Sequence, residues 1–147
     1  MKGKIFTRDE ATRMLPLVRS IVRDAKAAAR LIDRHERALA DSARRRPSTG
    51  KASVRVGAAD AAVNEKLRRL RGLAATLEAE LEALGWFLVD ARVGVAKCYS
   101  VGQSGFIYLA WRLGESAVDH WFPLKKSHLD RRPFGGETTV AENQEER

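Results

Sequence analysis

The sequence predicts an α+β protein: a long antiparallel two-helix (coiled-coil) hairpin with a small antiparallel β-sheet packed at its base. Three observations carry that reading. Met14, Val18, Ile21, Ala25, Ala28, Ile32, His35 and Leu39 alternate spacings of four and three, and Val63, Leu67, Leu70, Ala74, Leu77, Leu81 and Leu84 repeat the pattern. Such spacing in two segments describes two amphipathic helices packed through one seam. After Gly85 the period shortens, and WFLV, RVGVAKCY, FIYLAW and AVDHWF are brief runs rich in aromatic and β-branched residues, as strands are.

The first helix should begin near Arg8, because Thr7 and Glu10 have the spacing of a capping box. Pro16 lacks a backbone donor and restricts Leu15, so a short helix, a kink or break near Pro16 and a long helix from about Leu17 to Arg44 are expected. The second long helix is expected from about Ala58 to Leu84, with Gly85 as its C-terminal cap. Between them, residues 45–57 combine Pro, Gly, Ser, Thr and charge and read as a mobile loop. Folding back at this loop would set Arg19 and Arg23 beside Glu78, Glu80 and Glu82. At the other end arginines gather with Lys66, Arg68, Arg69 and Arg71 into a basic tip.

About three strands over residues 86–122 are expected, with hairpin connections at Ser100–Gly105 and Leu113–Ser116. Ile107, Leu109 and Trp111 should share one face of their strand and Phe106, Tyr108 and Ala110 the other. One face should pack on the hairpin base through Phe6, Met14, Leu15 and Leu17, since so small a sheet is marginal alone. Residues 1–134 then form a single α+β domain. Residues 135–147 carry four Glu and one Arg with Val140 as the single large apolar residue, and read as a disordered acidic tail.

Charge and composition exclude several classes. The formal net charge is +8, with +9 in residues 1–57 and −1 in residues 58–147. The single cysteine, Cys98, removes an internal disulfide framework and fits a reducing cytosol. No apolar run reaches the roughly 18 residues of a membrane span. The N-terminus MKGKIFTRDE turns acidic where a signal peptide would be apolar, so a cytoplasmic location and no membrane partner are expected.

KIFTRDEATRMLPLVRSI, the leucine-rich second helix ending in LG, and IYLAWRLGES followed by HWF resemble an uncharacterised bacterial family of small domains of unknown function. Its members open with K-x-F-T-x-x-E-A-x-x-x-L-P, matched by Lys4, Phe6, Thr7, Glu10, Ala11, Leu15 and Pro16. They later carry Y-L-x-W-[KR]-L-G-E, matched by Tyr108, Leu109, Trp111, Arg112, Leu113, Gly114 and Glu115. The resemblance spans roughly residues 4–134 and implies the same fold and no known activity. Relatives often read W-H where this chain has Trp121-Phe122, and L-V-D-F where it has Val95-Ala96-Lys97-Cys98. Carboxylate–imidazole chemistry in relatives would therefore not carry over.

No catalytic or cofactor motif is present: the glycines at 94, 102 and 105 fit neither a P-loop nor a dinucleotide fingerprint, and there is no G-x-S-x-G elbow. His120 and His128, near Glu115, Asp119 and Asp130, lack the spacing of a metal motif. His35 is a seam residue, and Cys98 has no local activating base, so it reads as a strand-packed thiol. Trp111, Arg112, Glu115 and Trp121 are candidate contacts for a partner or ligand, with a structural ion pair across the Arg112–Glu115 turn as the alternative. Arg44, Arg45, Arg46, Lys66, Arg68, Arg69 and Arg71 are candidate contacts for nucleic acid or another polyanion, with a solvated helix end as the alternative. Base stacking at the tip is excluded, because no aromatic residue lies between Phe6 and Trp86. The leading expectation is a non-enzymatic cytosolic interaction module that forms a homodimer, using Val22, Leu31 and Leu73 beyond the seam, with no small-molecule substrate identified. A nucleic-acid-binding protein with a basic hairpin tip comes second and a metal-dependent enzyme third.

Overall fold

The computed structural model describes residues 3–134, and the acidic tail expected over 135–147 lies outside them. In chain order the elements are α1 (Arg8–Arg13), α2 (Leu15–Arg45), α3 (Gly50–Ala83), β1 (Trp86–Asp90), β2 (Val95–Gly102), β3 (Gly105–Arg112), β4 (His120–Pro123), a 3-10 turn at His128–Asp130, and β5 (Arg132–Pro133). Two long packed helices and an antiparallel sheet make the fold α+β. By its internal packing the chain divides into two compact units. Unit 1 takes the chain up to Lys26 and from Leu77, and unit 2 is Ala27–Thr76.

In unit 1 the helix starts follow from local chemistry. Thr7 Oγ1 accepts from the Glu10 N–H at 3.1 Å and Glu10 accepts from the Thr7 N–H at 2.9 Å, so α1 begins at Arg8. The break expected near Pro16 falls two residues earlier, at Met14, and α2 begins at Leu15 rather than Leu17. Proline in the first turn forfeits no intrahelical bond, since donors there are unpartnered anyway. Pro16 therefore starts a helix here instead of kinking one. α3 ends at Ala83, and Gly85, at φ +94°, turns the chain toward the sheet as expected of the cap.

The sheet has five strands in the order β1-β2-β3-β4-β5, not about three, and extends to Pro133 rather than stopping near 122. Each neighbouring pair is antiparallel. The β2–β3 register pairs Gly102 with Gly105, so the hairpin turns on Gln103 and Ser104. Strand alternation then sorts the faces. Trp86, Ala96, Cys98, Ile107, Leu109, Trp111 and Trp121 form a core with Ala11, Leu15, Val18, Ile21, Val22, Ala25, Leu77 and Leu81. Phe6 and Met14 pack against it, as expected, whereas Leu17 is 54% exposed and contributes nothing. Val22, expected on an open flank, is fully buried in this core.

α1 is tied to the β3–β4 connection from both sides. The Val118 N–H donates to Thr12 Oγ1 at 3.1 Å and the Arg8 guanidinium to the Val118 carbonyl at 3.5 Å. The guanidinium also lies 4.2 Å from the Phe134 ring centroid, and the Phe134 N–H donates to the Asp119 carbonyl. Arg19 and Arg23 form no ion pair with Glu78, Glu80 or Glu82 among the described residues. Arg19 instead sits 5.9 Å from the Trp111 ring centroid.

Unit 2 holds the rest of α2 and α3, packed antiparallel. Ser42 donates to Asp60 at 3.1 Å and Arg71 to Glu36 at 2.7 Å, and Ala28 and Leu67 are buried in the seam. The connection is residues 46–49, shorter than the loop expected over 45–57, because α3 already begins at Gly50. Val56 stands one heptad before Val63, and the seam runs on through it; both are half-buried. Gly57 within this stretch does not break the helix, and Arg46 lies 3.0 Å from where its Cβ would be.

Two substitutions test the packing of unit 1. Trp111→Ala removes a fully buried indole and should cost about 3–5 kcal/mol in denaturant melts. Gly94 and Gly114 both have positive φ, +88° and +108°, but a Cβ on Gly94 would lie 2.9 Å from Leu113 Cβ whereas one on Gly114 meets open space. Gly94→Ala should therefore destabilise more than Gly114→Ala, which carries only the backbone penalty of about 1–2 kcal/mol.

Candidate functional site

The motif residues around Glu115 form a polar cluster at the end of β3. The β3–β4 connection returns the Glu115 carboxylate to the end of β3, where it accepts from the Arg112 backbone N–H at 2.9 Å. Arg131, arriving from the β4–β5 segment, grips both carboxylate oxygens, Nη1 to Oε1 at 2.9 Å and Nη2 to Oε2 at 2.8 Å. This is the fork geometry in which a guanidinium binds a carboxylate most strongly. His120 Nδ1 lies 3.7 Å from Glu115 Oε2, buried and without a hydrogen-bond partner among the described residues. The expected pairing of the Arg112 and Glu115 side chains is not what forms. Arg112 contributes its backbone, and the charge partner is Arg131.

Burial acts to raise the Glu115 pKa. The Arg131 hydrogen bond, the Arg112 N–H and the charges of Arg131 and His120 outweigh it, leaving the carboxyl below its ordinary value. Through Arg131 the carboxylate ties the segment after β4 to the end of β3.

The two indoles proposed as partner contacts are core residues. Trp111 is fully buried and donates from Nε1 to the Glu115 carbonyl at 2.9 Å. Trp121 is 7% exposed, with the Arg132 guanidinium 5.3 Å from its ring centroid. Among the described residues, the buried Nε1 donors of Trp86 and Trp121 have no hydrogen-bond partner. Cys98 is buried in the same core, and burial pushes its thiol well above the usual range, the opposite of what a nucleophile needs. Among the described residues no group of three or more His, Cys, Asp or Glu side chains could hold a metal ion.

The basic candidates of unit 2 do not form one cluster. Arg44 pairs with Asp41, Arg68 and Arg69 with Glu65, and Arg71 with Glu36 across the seam. Residues 66–71 lie well down α3, which begins at Gly50 after the 46–49 turn, about 24–32 Å along at a helical rise of about 1.5 Å per residue. At the turn itself, Arg45, Arg46, Lys51 and Arg55 have no ion-pair partner among the described residues. Unit 2 as a whole carries twelve Lys and Arg against five Asp and Glu, a net +7.

The seam also sorts the flanks of unit 2. Glu36 and Arg71 each follow a d position and meet across the seam, so both e positions share one flank. Leu31 and Leu73 each precede an a position and share the opposite one. They are 37% and 48% exposed. Ala38 and Ala59 occupy equivalent places and are exposed as well.

Sequence reading missed two features. Arg131 has no local signal, since only the β4–β5 return brings it to Glu115. The outer face of the sheet carries Phe87, Tyr99, Tyr108 and Phe122 in file, with successive ring centroids 5.6, 5.0 and 5.1 Å apart. Alternation within each strand hints at that file, but only the β2–β3 and β3–β4 registers align it.

Glu115→Gln should cost more than the 0–1 kcal/mol of an exposed pair, about 1–3 kcal/mol, because hydrogen bonds to a shielded charge are lost. A carboxyl with a lowered native pKa contributes stability above its unfolded-state value and loses it as pH falls through the native one. The wild type should therefore lose stability more steeply than Glu115→Gln between about pH 5 and pH 3 in chemical melts.

No curated protein and no solved structure matches the chain. Residues 4–134, the span that includes α1, both long helices and the whole sheet, match the family described as an uncharacterized conserved protein (DUF2203), and the chain belongs to that family.

Proposed function

We propose that the protein is a non-enzymatic cytosolic interaction module that self-associates through unit 2. One observation carries the reading: Leu31 and Leu73, 37% and 48% exposed, lie on the same flank of the seam, with Ala38 and Ala59 in equivalent places and Arg45 and Lys66 as the charged residues of that flank. An apolar stripe on one flank of a helix pair is covered when a second copy lays the same stripe against it, as two-fold association requires. No helix among the described residues is long and apolar enough to cross a membrane.

The net +7 of unit 2 sets the salt response. Two such units repel, so raising ionic strength should strengthen the dimer through screening. Light scattering at high micromolar concentration should give a dimer mass, and Leu31→Glu with Leu73→Glu should return the monomer with its helix content intact. A wild-type monomer at that concentration overturns the reading.

A second reading, nucleic-acid binding by the hairpin tip, is favoured by Arg45, Arg46, Lys51 and Arg55 around the turn, which no carboxylate neutralises among the described residues. Arg44, Arg68, Arg69 and Arg71 already have partners. Binding by this route should weaken steeply with salt, the reverse of self-association. Arg45→Ala with Arg46→Ala should weaken capture of duplex DNA in a gel-shift titration, and an unchanged titration would exclude the tip.

A further inference from the structure

The outer face of the unit 1 sheet has a chemistry that neither reading uses. Beside the file of rings, Lys97 Nζ lies 3.8 Å from the Tyr108 ring centroid and 5.9 Å from that of Phe122. At the hairpin end Phe106 is 46% exposed and forms no ring pair among the described residues. Alternation places Lys97, Arg112 and His120 on this face and no carboxylate from β2, β3 or β4, while Asp90 of β1 stands opposite Val95 and the Glu115 carboxylate lies 3.7 Å from His120 Nδ1. Lys97 has no ion-pair partner among the described residues, and its half-buried ammonium lies over the Tyr108 ring.

We propose that the outer face of β2–β4 binds single-stranded nucleic acid, an unpaired base stacking on Phe106 and a backbone phosphate pairing with Lys97. Phe106 stands opposite Val101, four residues from Lys97, so the two lie about 13 Å apart along the strands, with Tyr99 and Tyr108 between them. Aromatic platforms joined to a positively charged track are how single strands are held without sequence preference. A duplex cannot offer Phe106 a free base face, and unit 2 has no aromatic residue at all. An acidic peptide would satisfy Lys97 but leave the Phe106 ring without a planar partner. Burial holds the Lys97 pKa below its ordinary value, and an adjacent phosphate would restore the charged form.

Fluorescence anisotropy of the full chain with a labelled single strand of about twelve nucleotides tests this at low salt. Binding should exceed that of the matching duplex, and of an abasic strand with the same phosphates, by roughly tenfold or more. Phe106→Ala, a change at an exposed side chain, should weaken the single strand by a similar factor while the thermal melt stays the same. Lys97→Gln should weaken it and flatten its salt dependence. Arg45→Ala with Arg46→Ala should leave it within about twofold, since the tip makes no base contact. The proposal is overturned by undetectable binding, by equal affinity for the abasic strand or the duplex, by an unchanged Phe106→Ala titration, or by loss of binding in the Arg45/Arg46 variant. Competition by poly-glutamate as effective as by unlabelled single strand would assign the face to an acidic protein partner and overturn it equally.

Discussion

Burial of one face of the sheet beneath helical segments is the constraint on which unit 1 depends. Trp111 shows how tightly it binds the parts together. Its ring is fully buried, its N–H is held by the Glu115 carbonyl, and Arg19 of α2 lies against its face. For that indole to be dry, β3 must keep its register with β2 and β4, the β3–β4 connection must turn back at Gly114, and α1 must close over Val118 through Thr12. A two- or three-stranded sheet alone would not bury enough apolar surface to offset its ordering entropy. The recognisable motif Tyr108–Glu115 is thus a packing motif: its tryptophan fills the core and its glutamate anchors the segment that ends the sheet.

Unit 2 obeys a different economy. Two helices share one narrow seam, and only Ala28 and Leu67 are fully shielded within it. Its surface is dominated by arginines, several of which are neutralised by carboxylates one turn away or across the seam. Such exposed pairs contribute about 0–1 kcal/mol each, so they shape the electrostatic field more than the stability. What they leave behind is a charged turn whose Arg45 and Arg46 have no ion-pair partner among the described residues, and two exposed leucines, Leu31 and Leu73, on one flank. These two features pull in opposite directions with salt, which makes the two functional readings separable.

The outer sheet face and the inner one are built from the same strands with alternate residues, yet they meet different ends. Inner positions are filled by Trp, Leu, Ile, Cys and Ala and face helices. Outer positions hold Tyr, Phe and Lys, and Val95, Ala110 and Phe122 are buried there outside the main core. Stacking of Tyr99 on Tyr108 and the ammonium of Lys97 over Tyr108 give this face its own order without a helix on top.

Local chemistry made the periodic and punctuated parts legible in sequence. The Thr7–Glu10 capping box, the Gly85 cap, the heptads of both long helices and the alternation of Ile107, Leu109 and Trp111 each depend on residues within a turn or two of one another. Where the reading went astray, a residue's meaning depended on partners distant in the chain. Val22 looks like a spare apolar residue until the sheet covers it, residues 50–57 look like a loop until Val56 finds the seam, and Pro16 looks like a break until Met14 ends the preceding helix. Glu115 could be recognised as the key acidic residue, but its partner, sixteen positions on at Arg131, is set by the return of β5 along β4. The family, the fold class and the paired helices were therefore written in the sequence itself. Which cations stay uncompensated, which indoles are buried and which rings align across strands were decided by tertiary structure, because charge pairing, burial and cross-strand stacking are properties of neighbours in space.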